Sequence, residues 1–162
     1  MQNNDILRRL RYTFQFTDTN MMELFALGGC PANRETISNW LKKDDDPDFV
    51  SIYDIDLAAF LNGLIIFKRG KREGEIPKPE KSLNNNVILR KLKIALNLKD
   101  EDLLNLLNLA DFKFSRHELS ALFRKPDQEQ YRTCKDQVLR NFLMGLQLKF
   151  RNNNLDNYTH ES

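Results

Sequence analysis

This chain contains the same segment twice. Residues 3–69 align with residues 85–151 at a constant offset of 82 positions, without a gap. Over these 67 positions the two segments share 20 identities, or about 30%, and many other pairs exchange one residue for a similar one. An ungapped match of this length predicts that the chain folds as two copies of one structural unit.

Composition marks the boundaries of the two copies. Residues 70–84 combine glycine, proline and many charges, as linkers do, whereas residues 152–162 are polar and show no apolar period. The sequence therefore predicts a helical repeat 1 over residues 1–69, a charged linker over 70–84, a helical repeat 2 over 85–151 and a flexible tail over 152–162.

Each copy contains four stretches whose apolar residues recur at the spacing of an α-helix. The first helix of repeat 1 is predicted from about Asn4 to Phe16. The second and third helices are predicted to follow N-cap residues, whose side chains accept hydrogen bonds from the first turn. These N-caps are Asp18 and Asn33 in repeat 1, and Asp100 and Ser115 in repeat 2.

The start of the fourth helix is predicted from a capping-box spacing, in which a carboxylate follows the cap by three residues. Ser51 with Asp54 has this spacing, and Thr133 with Asp136 repeats it. Ser115 with Glu118 makes a capping box at the third helix of repeat 2.

No stretch alternates between apolar and polar residues as a half-buried strand would. The continuous apolar run Leu64–Phe67 is interpreted as the end of helix four, with a short buried strand as the alternative. We therefore predict an all-α protein of two tandem, pseudo-symmetric four-helix repeats, each with a helix-turn-helix-like helix pair.

A copy of this size makes only a small core, so the two copies are expected to bury apolar surface against each other. Gly63 and Gly145 occupy the same place in the predicted fourth helix. A glycine inside a helix costs about 1 kcal/mol relative to alanine. We interpret the shared glycine as a place where another helix approaches closely, and a kink or a helix end is the alternative.

Composition excludes several classes of protein. The chain has 162 residues, 41% of them hydrophobic, and a net charge of +2, which does not fit a disordered charged tail. No apolar run reaches the roughly 18 residues of a membrane span, and no secretory signal is recognised at the start. Cys30 and Cys134 lie far apart without a CxxC motif. A cytoplasmic protein without a disulfide framework is expected.

Catalytic residue patterns are scarce, and we predict that the protein is not an enzyme. The two histidines, His117 and His160, are not placed for a Ser-His-Asp triad, and no HExxH, GxSxG or phosphate-loop motif occurs. The acidic run Asp44–Asp48 could hold Mg²⁺ or Ca²⁺ through oxygen ligands, but it lacks the glycine and distal glutamate of a calcium loop. It is interpreted as a solvated loop, and no metal or cofactor site is predicted.

The most specific local pattern is the segment Arg34–Lys43, which follows the helical stretch Met21–Leu27 and a turn. It resembles the recognition helix of phage-repressor-like helix-turn-helix domains, which lies in the major groove of DNA. Residues expected to face outward are candidates for nucleic-acid contacts: Arg34, Ser38, Asn39 and Lys42 in repeat 1, and Arg116, Ser120 and Arg124 in repeat 2.

Three features depart from that pattern. The turn from Gly28 to Asn33 is longer than the usual three or four residues, the acidic run follows the proposed reading helix, and the net charge is only slightly positive. A plain packing unit of two helices is therefore an open alternative. A protein-protein interaction adaptor without nucleic-acid binding is the second function considered, and a small-molecule sensor between the repeats is a third.

Basic residues lie on the first helix and after the fourth helix of each copy, and after the fourth helices only Arg69 and Arg151 are counterparts. They comprise Arg8, Arg9, Arg11 and their counterparts Arg90, Lys91, Lys93, with Lys68, Arg69, Lys71, Arg72, Lys149 and Arg151 after the fourth helices. These residues form either an anion-binding surface or a solvated face whose cations complement helix C-termini. The identity of any nucleic-acid or protein partner and the oligomeric state are not predicted.

Four segments together resemble the YehS-like bacterial family, whose members carry a doubled domain of unknown function. They are Asn3–Tyr12, Glu23–Gly29, Trp40–Asp48 and Phe60–Ile65, so the resemblance spans about residues 3–151. The resemblance implies a bacterial cytoplasmic protein with two related domains. It carries over no catalytic or binding residue.

Overall fold

The computed structural model describes residues 1–71 and 77–151, and within these ranges it contains eight α-helices and no strand. Repeat 1 comprises α1 Asn3–Phe14, α2 Asp18–Leu27, α3 Arg34–Leu41 and α4 Asp54–Arg69. Repeat 2 comprises α5 Asn85–Ala95, α6 Asp100–Leu109, α7 Arg116–Leu122 and α8 Asp136–Leu146, followed by a π-helical turn Gln147–Arg151. The predicted all-α tandem architecture is confirmed. The predicted flexible tail 152–162 lies outside the described residues.

The run Leu64–Phe67 is helical, as predicted, because α4 continues through it to Arg69. In repeat 2 the corresponding stretch begins as α-helix and then widens into the π-helical turn. The two copies therefore differ most at the ends of their fourth helices.

The predicted N-caps of the third helices are confirmed. Asn33 accepts a hydrogen bond from the Thr36 N–H at 2.8 Å, and Ser115 forms a reciprocal capping box with Glu118. The predicted caps Asp18 and Asp100 are wrong by one residue, because these aspartates are already the first residues of α2 and α6. Their carboxylates instead lie at the positive end of the helix dipole.

The predicted capping boxes of the fourth helices are also wrong. The helices α4 and α8 begin three residues after Ser51 and Thr133, and neither N-cap residue makes a side-chain capping bond. The Asp54 carboxylate instead accepts a hydrogen bond from the Asn3 amide at 2.6 Å, and Asp136 accepts one from Asn85 at 2.7 Å. Each aspartate therefore bonds to an asparagine of the first helix of its repeat and not to the predicted cap residue three positions earlier.

The fourth helix of each repeat packs against the first helix of the other. Helix α4 lies along α5, while α8 and the π-helical turn lie along α1. As a result the buried apolar side chains of both repeats form one continuous core. The prediction that the copies bury their apolar surfaces against each other is confirmed, and the contacts of each fourth helix with the first helix of the other repeat join the two cores.

The shared glycines mark close contacts between helix backbones, as predicted. A Cβ built on Gly63 would lie 1.8 Å from the Leu24 carbonyl oxygen, and one on Gly145 would lie 2.1 Å from that of Leu106. Both distances are far below van der Waals contact. The approaching helices are α2 and α6, so each glycine serves the packing of the second and fourth helices within its own repeat.

A buried asparagine ties three segments of each repeat together. The Asn4 amide donates to the carbonyls of Trp40 and Val50, and its oxygen accepts from the N–H of Ile52. Asn4 is only 2% exposed, so no solvent competes for these bonds. The first helix is thereby fixed to the end of α3 and to the segment that leads into α4.

The same arrangement recurs in repeat 2 at every equivalent position. The Asn86 amide donates to Leu122 and Arg132 at 3.0 and 2.9 Å, and its oxygen accepts from the Cys134 N–H at 2.9 Å. Because all three main-chain partners are buried or partly buried, leaving them unpaired would cost free energy. Asn4 and Asn86 are therefore structural elements of the repeat.

The two cysteines are expected to differ in reactivity. Cys134 is 1% exposed, and burial together with the Asp136 carboxylate raises the pKa of its thiol to about 11. Cys30 is only half-buried. Burial and the Asp56 carboxylate raise the pKa of the Cys30 thiol as well, so its greater accessibility is what favours its reaction. We expect a thiol reagent at pH 8 to modify Cys30 in the native protein and Cys134 only after unfolding. Simultaneous modification of both thiols in the native protein would contradict this prediction.

The raised pKa of Cys134 also affects stability. The unfolded thiol ionises near pH 9, whereas the folded thiol stays protonated to about pH 11. The stability associated with the neutral thiol is therefore complete below pH 9 and is lost as the pH rises toward 11. A denaturation series compared with Cys134→Ala measures this contribution.

Candidate nucleic-acid interface

The structure brings three of the four predicted repeat 1 residues together around one open depression. Arg34, Ser38 and Lys42 line it with Arg11 and Asp18, and Leu41 supplies its apolar part. We call this set the repeat 1 depression. It lies at the junction of the first and third helices, and Arg34 and Ser38 are exposed there.

One carboxylate, that of Asp18, lies in the lining of the repeat 1 depression and pairs with two of its three cations. The Asp18 carboxylate lies 3.1 Å from the Arg34 guanidinium and 3.5 Å from that of Arg11. Asp18 and Arg11 are each more than two-fifths exposed, and Arg34 is 72% exposed. Exposed ion pairs of this kind contribute about 0–1 kcal/mol, so the arginines remain accessible to another anion.

The fourth predicted residue, Asn39, does not face outward as expected. It is half-buried, and its side-chain oxygen accepts a hydrogen bond from the Lys42 ammonium at 2.8 Å. Lys42 itself is the C-cap residue of α3 rather than part of the helix, and it also lies 3.7 Å from Asp48. Asn39 thus positions Lys42 and is not itself placed to read a base edge.

The predicted residues of repeat 2 are not brought together in the same way. Arg116 is exposed and pairs with Glu101 at 3.3 Å, whereas Ser120 and Arg124 are half-buried. Arg124 lies beyond Leu122, the last residue of α7. None of these three residues lines the second cationic depression, which is described next.

A second cationic depression lies at the junction of the first and third helices of repeat 2. Its cations are Arg90 and Lys93 from α5 and Arg69 from the end of α4, and Phe123 contributes an aromatic ring. We call this set the repeat 2 depression. Lys93 is the counterpart of Arg11, and its ammonium lies 4.4 Å from the centre of the Phe123 ring.

The repeat 2 depression contains no carboxylate in its lining. Lys93 pairs with Asp100 at 2.9 Å, but no acidic residue of the described ranges lies within ion-pair distance of Arg69 or Arg90. Both arginines are exposed. Arg11, Arg69, Arg90 and Lys93 were not among the candidate nucleic-acid contacts predicted from the sequence. They were named there only among the basic residues that could form an anion-binding surface.

The acidic run contacts cations of its own repeat. Asp44 lies 3.9 Å from Arg8, and Asp48 lies near Lys42. Arg8 is itself half-buried and donates to the Lys42 carbonyl, so it lies closer to the core than its position on the helix had suggested. Among the residues that the structure describes, no group of three or more potential ligands could hold a metal ion.

His117 is exposed in the first turn of α7, and His160 lies outside the described residues. Within residues 1–71 and 77–151, none of the helices combines the length and the apolar character needed to cross a membrane.

Comparison with known proteins agrees with the two-repeat architecture. The family model described as "Protein of unknown function (DUF1456)" matches residues 3–70 and 85–152. The chain is 44% identical over 147 residues to the uncharacterized protein YehS of Escherichia coli (strain K12), a match that covers 90% of this chain and 94% of YehS. No solved structure matches. Since both repeats match and the expected resemblance to YehS is confirmed, the chain belongs to the DUF1456 family, whose function is unknown.

Proposed function

We propose that the protein binds nucleic acid through its two cationic depressions and has no enzymatic activity. The observation that carries this proposal is that each repeat presents an open depression lined by three cations, with one carboxylate, Asp18, in the lining of the first and none in that of the second. A pair of such surfaces suits a polyanion, because phosphates along one strand or across a groove would engage both repeats.

The accessibility of the cations supports a role in binding rather than in folding. Arg34, Arg69 and Arg90 are exposed, and the exposed pair of Arg34 with Asp18 could be exchanged for a phosphate at little cost. Phosphate contacts of this kind position a protein on nucleic acid without reading its sequence. We therefore propose binding that depends strongly on salt and weakly on sequence.

A helix-turn-helix mode of binding is a narrower form of the same proposal. It requires the exposed residues of α3, Arg34 and Ser38, to enter a groove together with Arg116 of α7. Of the candidate contact residues predicted from the sequence, only Arg34, Ser38 and Lys42 line a depression. Substitution of Arg116, which lies outside both depressions, therefore separates the two forms.

Binding without catalysis is supported by the residue types at these surfaces. Both depressions are lined by arginine, lysine, small polar and apolar side chains, without a histidine, cysteine or paired carboxylates. General acid-base catalysis requires a group whose pKa lies near the working pH. Arginine, which stays charged, instead suits the fixed recognition of phosphate.

We expect Arg34→Glu and Arg90→Glu each to weaken binding to random-sequence duplex DNA about tenfold at low salt, because each removes a phosphate contact and adds repulsion. The measurement is fluorescence anisotropy of a labelled duplex, repeated across salt concentrations. Each variant should also reduce the slope of log affinity against log salt by roughly 1. Both residues are exposed, so the fold should be retained.

Lys78→Glu is the matched control, because it changes the net charge equally at an exposed position in neither depression. If this variant weakens binding as much as the other two, the attraction depends on net charge and the depressions are not the site. Absence of binding at low salt would remove the proposal entirely. An effect of Arg116→Glu as large as that of Arg34→Glu would favour the helix-turn-helix form.

A protein-interaction adaptor is the second candidate, and one observation favours it. Val50 and Tyr53, in the segment before α4, are 47% and 75% exposed. Their counterparts in repeat 2 are charged, Arg132 and Lys135. The double substitution Val50→Arg and Tyr53→Lys reproduces repeat 2 at this place, and it should abolish capture of a protein partner if the apolar pair is the contact.

A further inference from the structure

A cleft opens at the place where the ends of α1, α4, α5 and the π-helical turn converge. Six of its lining residues determine its chemistry: Phe14, Phe16, Lys68, Arg69, Leu96 and Phe150. Phe14 and Leu96 are counterparts under the repeat offset, and so are Lys68 and Phe150. The cleft therefore straddles the pseudo-twofold axis between the repeats, and we call it the axial cleft.

The two sides of the axial cleft differ, although the fold relates them by pseudo-symmetry. The side formed by α1 and the π-helical turn is aromatic. The ring centre of Phe14 lies 5.4 Å from that of Phe150 and 5.6 Å from that of Phe16. The side formed by α4 and α5 instead presents Lys68 and Arg69, both exposed, beside Leu96.

The two cations of this cleft have no ion-pair partner among residues 1–71 and 77–151. Within the part of the chain that the structure describes, no carboxylate lies within ion-pair distance of Lys68 or Arg69. The Lys68 ammonium lies 5.5 Å from the centre of the Phe14 ring and 6.0 Å from that of Phe67. Contact with aromatic faces attracts a cation weakly and leaves it able to bind an anion.

The helix C-termini that meet here would disfavour an anion if their carbonyls were free. In α1 they are engaged, because the Tyr12 carbonyl accepts from Arg151 at 2.7 Å and that of Arg11 accepts from the N–H of Phe16. The end of α5 is closed in the same way, because Asn97 adopts a left-handed backbone conformation and the Leu98 N–H donates to the Lys93 carbonyl. Lys68 and Arg69 complement the end of α4.

We propose that the axial cleft binds a small molecule that joins a flat aromatic ring to one anionic group. The ring packs against Phe14 and Phe150, and the anion lies beside it at Lys68 and Arg69, because the Lys68 ammonium is 5.5 Å from the centre of the Phe14 ring. An aromatic carboxylate and a nucleoside monophosphate share this chemistry. The axial cleft shares Arg69 with the repeat 2 depression, so its test uses Lys68 and Phe150, which line the cleft and neither depression.

Titration of the ¹⁵N-labelled full chain, followed by amide chemical shifts, tests the proposal. Adenosine 5′-monophosphate and indole-3-acetate are the two aromatic anions, and adenosine and inorganic phosphate each lack one half of the required chemistry. We expect at least one aromatic anion to shift amides of the axial cleft with a submillimolar Kd, about tenfold or more tighter than adenosine or phosphate. The two probes distinguish a phosphate from a carboxylate ligand.

Lys68→Gln should weaken that binding about fivefold or more, because it removes one charged partner of the anion. Lys71→Gln, a nearby exposed lysine outside the cleft, should leave it unchanged. Phe150→Leu should also weaken binding, because it removes an aromatic contact to the ring of the ligand. The proposal is overturned if neither anion shifts cleft amides at millimolar concentration, if adenosine binds equally well, or if Lys68→Gln binds like the unsubstituted chain.

Discussion

We expect Gly63→Ala to lower the free energy of unfolding by about 3 kcal/mol or more, although alanine normally stabilises a helix interior by about 1 kcal/mol relative to glycine. The new Cβ would lie 1.8 Å from the Leu24 carbonyl oxygen and 2.7 Å from the carbonyl carbon of the same residue. These are backbone atoms of α2, so no side chain can rotate away. The helices α2 and α4 would have to separate along a contact that builds the core of repeat 1.

Chemical denaturation and thermal unfolding measure this effect, and the midpoint temperature should fall by roughly 6–12 °C for a chain of this size. Asn105→Ala is the control, because Asn105 is an exposed residue inside helix α6. That substitution should raise stability by up to about 0.5 kcal/mol through helix propensity alone. If Gly63→Ala were also neutral or stabilising, α2 and α4 would not approach as closely as the structure shows.

Gly63 shows how far the sequence could predict the packing. The same glycine at the same place in both copies was enough to indicate a close helix contact, because its cost in helix propensity had to be offset by something. The sequence did not indicate which helix approaches, since apolar faces of α2 and α5 both suit α4. The structure uses both, with α2 at the glycine side and α5 from the other repeat.

The contacts between the fourth helix of one repeat and the first helix of the other could not be predicted from the duplication. A constant offset establishes which residues are equivalent, but it gives no information about which copy supplies a neighbouring helix. For the same reason the residues of the axial cleft were not foreseen, although a small-molecule site between the repeats was one of the functions considered. It is built from ends of helices that lie far apart in the chain, such as Phe14 and Phe150.

The candidate interface was predicted in part. Helical periodicity correctly placed Arg34 and Ser38 on the exposed face of α3. It failed for Asn39, because its bond to Lys42 and its partial burial depend on the chain beyond the helix. In repeat 2 the same periodic reasoning overlooked Arg69, which reaches the repeat 2 depression from the end of α4 in the other repeat.

Asn4 and Asn86 are the clearest structural residues that the sequence analysis passed over. There Asn4 marked only the start of the first predicted helix, although an identical polar residue on an apolar helix face in both copies signals a buried hydrogen bond. The partners of Asn4 lie 36 to 48 residues away in the chain. No local pattern could have identified them.

Asn86→Ala should destabilise the protein by about 3–5 kcal/mol, because it leaves the carbonyls of Leu122 and Arg132 and the N–H of Cys134 without their partner. Asn86→Asp should be as damaging, since a carboxylate oxygen would replace the amide group that faces two carbonyls. Asn4→Ala should cause a similar loss in repeat 1. Asn108→Ala, at an exposed helical position, is the matched control and should change stability by less than about 0.5 kcal/mol.

Chemical denaturation measures the loss of stability. The reactivity of Cys134 shows whether the segment before α8 has loosened. Because the Asn86 oxygen holds the Cys134 N–H at 2.9 Å, its removal should loosen the segment before α8 and expose the thiol under native conditions. Cys134 should then react faster in Asn86→Ala than in Asn4→Ala, whose lost bonds lie in repeat 1. Equal reactivity in the two variants would mean that the repeats open as one unit, which their shared core would explain. A loss of less than about 1 kcal/mol would show that the asparagine bonds are replaced by others and do not fix the third helix to the first.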